Sequence, residues 1–157
     1  MTNIAQIANV LQSMVLTRGP QMVLTPTYYV FKMYASHQGG RLIPVDVDCE
    51  YIIADDGRRV PVVSATASAH DNSNILSLVN TDLSRSTNVK VNLGDIKAKD
   101  ITGEILCASS ITDYNDFGQP EKVALKQLSS RDWKVKDGIL SITLPPASIV
   151  TLTLARP

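Results

Sequence analysis

From residue 41 onward, apolar and polar residues alternate in short runs. Val89, Val91 and Leu93 alternate with Lys90 and Asn92; Leu140, Ile142 and Leu144 alternate with Ser141 and Thr143. A period of two sends one set of side chains into a core and the other into water. Such runs predict strands over 42–47, 51–54, 60–69, 75–80, 88–93, 101–108, 121–126, 133–135, 139–144 and 148–154. Turn clusters separate them: Asp55-Asp56-Gly57, the polar stretch 81–86, and Lys136-Asp137-Gly138, whose Asp-Gly tolerates the positive φ angles of a hairpin turn. No helical pattern interrupts the series, so antiparallel sheets should pack face to face. The expected fold class is all-β: an antiparallel, jelly-roll-like β-sandwich preceded by two short helices.

The two helices are expected in the first forty residues. Ile4, Ile7, Ala8, Leu11, Met14 and Val15 recur at the i, i+3, i+4, i+7 spacing of a helix face and predict a helix over 3–17. Its other face, with Gln6, Asn9, Gln12 and Ser13, is polar but uncharged, and the first charged side chain is Arg18. A solvated helix face ordinarily carries Lys and Glu. The segment is therefore expected to be covered by protein that the following strands do not supply. It should fold back on the sandwich or pair with a second copy. Arg18-Gly19-Pro20 is expected to break it. Thr25-Pro26, an N-cap hydroxyl followed by proline, opens a second helix that runs to about Ser36, with Val30, Phe31 and Tyr34 on one face and Gly39-Gly40 ending it.

Composition excludes several classes. Fifteen Lys and Arg balance fifteen Asp and Glu, with no basic run or basic patch interleaved with aromatics. No nucleic acid and no membrane partner is therefore expected. No apolar run approaches the roughly 20 residues of a membrane span, and residues 1–10 lack the pattern of a leader peptide. A chain of 157 residues can bury roughly 70% of its unfolded surface, so one domain without staples suffices. Cys49 and Cys107 fit no metal spacing; they are expected as free core thiols, a disulfide requiring an exported protein.

Motifs for chemistry are thin. Asp113-x-Asn115-Asp116-Phe117-Gly118 is rich in oxygen ligands but lacks the following bidentate glutamate of a calcium loop, and Asn and Asp before Gly build turns. His37 and His70 have no ligand partner one helical turn away and are expected as surface or hydrogen-bonded structural residues. The hydroxyls of residues 64–68 sit in no Gly-x-Ser-x-Gly elbow. Trp133, Tyr114 and Phe117 are too few for a sugar-stacking platform and are expected to pack the core or a hinge.

Several blocks together carry a resemblance. Asn3-Ile4-Ala5-Gln6 with Asn9-Val10-Leu11-Gln12, then Leu24-Thr25-Pro26-Thr27-Tyr28-Tyr29-Val30-Phe31, His37-Gln38, Ser77-Leu78-Val79-Asn80, Asn115-Asp116-Phe117 and Leu144-Pro145-Pro146-Ala147-Ser148 are similar to the α-L-arabinofuranosidases of glycoside hydrolase family 51. The resemblance covers essentially the whole chain. It implies that residues 1–38 end the catalytic (β/α)8 barrel and form a bracket helix, with Tyr28 and Tyr29 anchoring sandwich to barrel, while 39–157 form a C-terminal β-sandwich. In that family an N-terminal segment also contributes to the sandwich, and without it an unpaired edge, a route to self-association, is expected.

The resemblance also implies a parent enzyme that releases terminal α-L-arabinofuranosyl groups from arabinan or arabinoxylan with retention of configuration. Retention needs two carboxyls about 5–5.5 Å apart. The family's two glutamates lie upstream of the matched region, and Glu50, Glu104 and Glu121, the three glutamates here, match neither. This piece has no catalytic residue of its own and should be inert. Gln6 would contact the arabinofuranosyl ring in the parent only; in the piece it would be a partnerless polar residue at a helix N-terminus. No cofactor or metal is implied. The expected partners are the parent's catalytic barrel, arabinose-containing poly- or oligosaccharide through that barrel, and further copies in a homo-oligomer. The alternative is a free-standing carbohydrate-binding sandwich.

Overall fold

A computed structural model describes residue 4 and residues 6–157. In chain order the elements are β1 (Val15–Arg18), β2 (Gln21–Leu24), α1 (Pro26–Ala35), β3 (Arg41–Ile43), β4 (Tyr51–Ile53), β5 (Arg59–Pro61), β6 (Val63–Ala69) and β7 (Ser73–Asn80). There follow β8 (Thr87–Asn92), β9 (Asp100–Leu106), β10 (Leu125–Gln127), β11 (Trp133–Lys136), β12 (Ile139–Leu144) and β13 (Ser148–Ala155). A six-stranded sheet, β10-β9-β13-β7-β6-β3, faces a three-stranded sheet, β11-β12-β8; β1-β2 and β4-β5 are separate hairpins. All these strand pairs are antiparallel. The all-β sandwich expected from the alternation is the fold.

The alternation also sets which residues meet. In β13 and β9, Val150 pairs with Ile105 on the inner face while Ile149 pairs with Leu106 on the outer. The inner set joins Leu76, Leu78, Leu152 and Leu154 against Leu140, Ile142 and Leu144 of the facing sheet. Leu140, Leu144, Val150 and Leu152 are wholly buried, each stabilising the fold by about 1.5–3 kcal/mol relative to exposure. The outer set forms a second cluster, in which Leu106 and Val123 lie beneath Tyr29 and Met33 of α1. The sandwich therefore has a third layer on one side: the helix.

The helix expected over 3–17 is not present among the described residues; Asn3 and Ala5 lie outside them. Asn9 and Gln12 adopt φ angles of 55° and 59°, left-handed conformations incompatible with an α-helix. Asn9 instead clamps the chain: its Nδ2 donates to Thr17 Oγ1 at 2.8 Å, and its Oδ1 accepts from Thr17 N–H at 2.7 Å. Short polar side chains that bond nearby backbone compete with helix, and here the competition is won by an irregular segment leading into β1. Arg18-Gly19-Pro20 is not a helix cap but the turn of the β1–β2 hairpin, in which Arg18 pairs with Gln21 and Gly19 has φ 58°.

The second helix forms with Thr25 at the N-cap and Pro26 at its first position. The Thr25 hydroxyl does not cap it; Oγ1 donates to the Ser13 carbonyl at 2.6 Å, tying helix start to the segment before β1. The buried pair is Tyr29 and Met33, one turn apart, rather than Val30, Phe31 and Tyr34, which are half-buried beside them. Tight turns carry the backbone on through Gln38 N–H to Ala35 C=O at 3.1 Å before Gly39 at φ 74° turns the chain away.

Two expected strands are cut short by proline, which cannot donate to a ladder. The run 42–47 ends at Ile43 before Pro44, leaving 44–50 irregular, and the run 60–69 divides at Pro61-Val62 into β5 and β6, which lie in different sheets. The run 121–126 shrinks to β10 because the N–H groups of Lys122 and Val123 are taken by Asn115 Oδ1 at 3.0 and 2.9 Å.

Candidate functional site

Gln6 lies in the irregular segment ahead of β1, exposed and with no side-chain hydrogen bond among the described residues. It is not at a helix N-terminus. The next residue fixes its place: the Ile7 carbonyl accepts from Met14 N–H at 2.9 Å and Val15 N–H at 3.1 Å. Gln6 thus leaves the folded body beside the β1–β2 hairpin with its amide free to donate and accept.

The three glutamates are engaged separately. Glu104 accepts from Gln127 Nε2 at 2.6 Å across β9 and β10. Glu50 lies 3.8 Å from Arg85 in an exposed pair, and Glu121 accepts from the Tyr29 hydroxyl at 2.9 Å. Burial first, and then this bond to Glu121, push the Tyr29 phenol up to about 12. Tyr29 therefore fastens α1 to the sandwich's own loop, and Tyr28 stands edge-on against it at 5.4 Å.

Beneath the end of α1 the structure assembles a polar relay that the sequence did not reveal. His37 Nδ1 is 2.8 Å from Ser68 Oγ, and His37 Nε2 is 2.9 Å from Ser77 Oγ. Ser77 Oγ continues to Thr151 Oγ1 at 2.8 Å, and Ser68 Oγ to His70 Nε2 at 3.3 Å. Ser68, Ser77 and Thr151 are buried, so the hydroxyls have no water to replace these partners. Burial, and secondarily the nearby His70, hold the His37 pKa below its ordinary value. The available signal was the outward face of β6, β7 and β13, which carries Ser and Thr where a wet face would carry Lys and Glu.

The other candidates resolve into structure. Asn115, buried, donates from Nδ2 to the carbonyls of Leu24 at 2.9 Å and Val123 at 2.7 Å, pinning the 108–124 loop to β2. Asp113 and Asp116 accept from N–H groups of Ser110 and Phe117, the turn chemistry expected there. Trp133 packs on the core and Phe117 lies under the Arg18 guanidinium at 4.4 Å, but Tyr114 is exposed rather than packed. Cys49 and Cys107 are free and half-buried; Cys107 packs against the core as expected, whereas Cys49 lines the open flank. Along one flank a cavity of about 790 Å³ opens between the irregular segment 44–50 and the edge strand β8, walled by Val45, Val47, Leu78, Val89 and Val91.

These features define a β-sandwich domain with a hairpin and helix bracketing its outer face and one flank open. The chain belongs to the α-L-arabinofuranosidase C-terminal domain family, whose sequence profile matches residues 1–148. It is 51% identical over 155 residues to an intracellular exo-α-L-arabinofuranosidase of Bacteroides ovatus, covering 98% of this chain and 30% of that protein. Its fold is similar to that of a solved family 51 (GH51) arabinofuranosidase from Xanthomonas axonopodis pv. citri, with a TM-score of 0.89 and 37% identity over 98% of this chain and 31% of that one. An α-L-arabinofuranosidase from Thermotoga maritima shares the fold at a TM-score of 0.80 and 20% identity, over 96% of this chain and 33% of that one. The chain thus spans about 30% of the length of the relatives it matches.

Proposed function

We propose that the chain is the accessory domain of a retaining α-L-arabinofuranosidase that removes terminal α-L-arabinofuranosyl groups from arabinan, arabinoxylan or their oligosaccharides. The observation that carries this reading is the match of nearly the whole chain to under a third of an arabinofuranosidase. Residues 1–38 close and bracket the catalytic barrel, and 39–157 form the sandwich that braces it. The exposed Ile7, Leu11 and Met22 support a contact between the hairpin region and the rest of the parent, and between copies of it. The dispersed engagements of Glu50, Glu104 and Glu121 support a piece that is inert alone, since retention requires two carboxyls about 5–5.5 Å apart.

Gln6 is proposed as a substrate contact in the parent, its side-chain amide meeting sugar hydroxyls at the mouth of the barrel. A chimera tests the assignment. These 157 residues replace the matching region of the Bacteroides ovatus relative, and release of arabinose is measured beside the relative truncated of that region. An active chimera, an inactive truncation and an inactive 157-residue chain support the brace. Arabinose release by the chain alone overturns it, and retardation of the chain in arabinan or arabinoxylan gels favours a free-standing binding module. Gln6→Ala in the chimera should lower kcat/KM by about tenfold, the worth of roughly one lost hydrogen bond.

A further inference from the structure

At one end of the six-stranded sheet, the start of β3, the β6–β7 turn and the residue after β13 converge on a cavity of about 620 Å³. Its wall carries Arg41, His70 and Arg156, with Ser36 and Ser73 hydroxyls and a single carboxylate, Asp71. Strand register brings these together: Arg41 pairs with Ala69, Ala69 pairs with Asn74, and Arg156 N–H donates to the Asn72 carbonyl at 2.9 Å.

Two features make the arrangement more than a charged surface. Arg156 Nη2 donates to Asn74 Oδ1 at 2.9 Å, which fixes the guanidinium at the rim shared with an adjoining cavity lined by Asn74, Asp95 and Lys97 while leaving most of its donors open. Gly40 lets the backbone run flush against the imidazole, since a Cβ there would lie 2.5 Å from His70 Nε2. Among the described residues neither Arg41 nor Arg156 has a carboxylate in an ion pair, whereas Arg58 and Arg85 do. Guanidiniums without carboxylate partners on one cavity favour an oxyanion, and both carboxylate and phosphate match their fork geometry.

We propose that this cavity binds a small oxyanion, the carboxylate of a sugar acid or a phosphate group, held between Arg41 and Arg156. Ser73 supplies a neutral hydroxyl for the ligand's own hydroxyls. The site is separate from the bracing role and stands whether or not the chain braces a barrel.

The test is a titration of the 157-residue chain at fixed ionic strength, followed by amide NMR, with inorganic phosphate, glucuronate and neutral xylose in separate arms. Saturable shifts at Arg41, His70, Asp71 and Ser73 with phosphate or glucuronate, and none with xylose, support the site; the tighter of the two identifies the source of the oxyanion. Arg41→Gln should weaken binding by about tenfold, as loss of a charge-assisted hydrogen bond does, while Lys134→Gln leaves it unchanged. The Arg41 side chain makes no hydrogen bond among the described residues, so its variant reports on the site even if Arg156→Ala fails to fold. Shifts that never saturate, equal response to xylose, or full binding by Arg41→Gln would overturn the proposal.

Discussion

His37 Nε2 lies 2.9 Å from Ser77 Oγ across 40 residues of sequence, and this contact locks the end of the bracket helix onto the outer face of the sandwich. In a neutral imidazole one nitrogen donates and the other accepts, which suits a ring held between two serine hydroxyls. Removing the ring leaves Ser68 and Ser77 to share fewer partners. His37→Ala should cost about 1–2 kcal/mol in urea unfolding at pH 7.5, the range for lost hydrogen bonds around buried hydroxyls.

The same contact gives a pH dependence whose sign is fixed. Burial of His37, with the neighbouring His70, favours the neutral ring in the folded chain, while the unfolded chain takes up its proton as pH falls through roughly 6.5. The stability supplied by the neutral ring is therefore complete above that value and is lost as pH falls below it toward the lower folded pKa. Urea midpoints between pH 7.5 and 5 should fall more steeply for the natural chain than for His37→Gln. Parallel profiles for the two would refute the latch.

A carboxylate governs a lower window. Asp82 is held well below the usual carboxylate range by N–H of Ser84, by the Arg85 guanidinium and by N–H of Arg85. Its stabilising effect is present above the unfolded value near 3.9 and is lost as pH falls below it toward the depressed folded pKa. Asp82→Asn should lower Tm at pH 6, and the gap to the natural chain should narrow at pH 2.5. Calorimetry at both values decides it.

The strands were legible because both their faces obey simple rules: Leu140, Ile142 and Leu144 enter the core and the Asp137-Gly138 turn, at φ 52° and 75°, closes β11 onto β12. The opening segment was not, because apolar spacing at 3, 4 and 7 is also satisfied by a folded-back chain when Asn9 and Gln12 supply left-handed turns. Its uncharged face has the composition of a covered helix surface, but Asn9 and Gln12 on it are turn formers. The same signal on β6 and β7, hydroxyls where charges belong, did mark a covered face, but its cover, His37, lies 31 and 40 residues away. A long-range polar pair leaves no periodicity to read. Gln6 is marked by the resemblance alone, and nothing in the local pattern distinguishes it from its neighbours.

Asn115 holds the 108–124 loop through four backbone groups, two carbonyls and two N–H groups. Asn115→Ala strands those that are buried, at about 2–3 kcal/mol. Because the Leu24 carbonyl is one of them, the effect should spread to the β1–β2 hairpin as faster amide exchange over residues 15–24. Unchanged exchange there would mean the loop and hairpin are independent.

Gly103 in β9 is buried where the sandwich core leaves no room for a side chain. A Cβ there would lie 2.6 Å from Leu152 Cδ2, 3.1 Å from Leu128 Cδ1 and 3.4 Å from the Thr151 carbonyl. Leu152 is wholly buried and packed on all sides, so its methyl cannot swing aside without displacing its neighbours. Gly103→Ala should therefore destabilise by about 1–3 kcal/mol, despite the better intrinsic propensity of alanine. The double variant Gly103→Ala with Leu152→Ala separates overpacking from backbone strain. Leu152→Ala alone opens a cavity, and if the clash is steric the added methyl fills part of that space, so the pair should be less destabilised than the sum of the single changes. A strictly additive result in denaturant unfolding would place the cost of Gly103→Ala in the backbone instead.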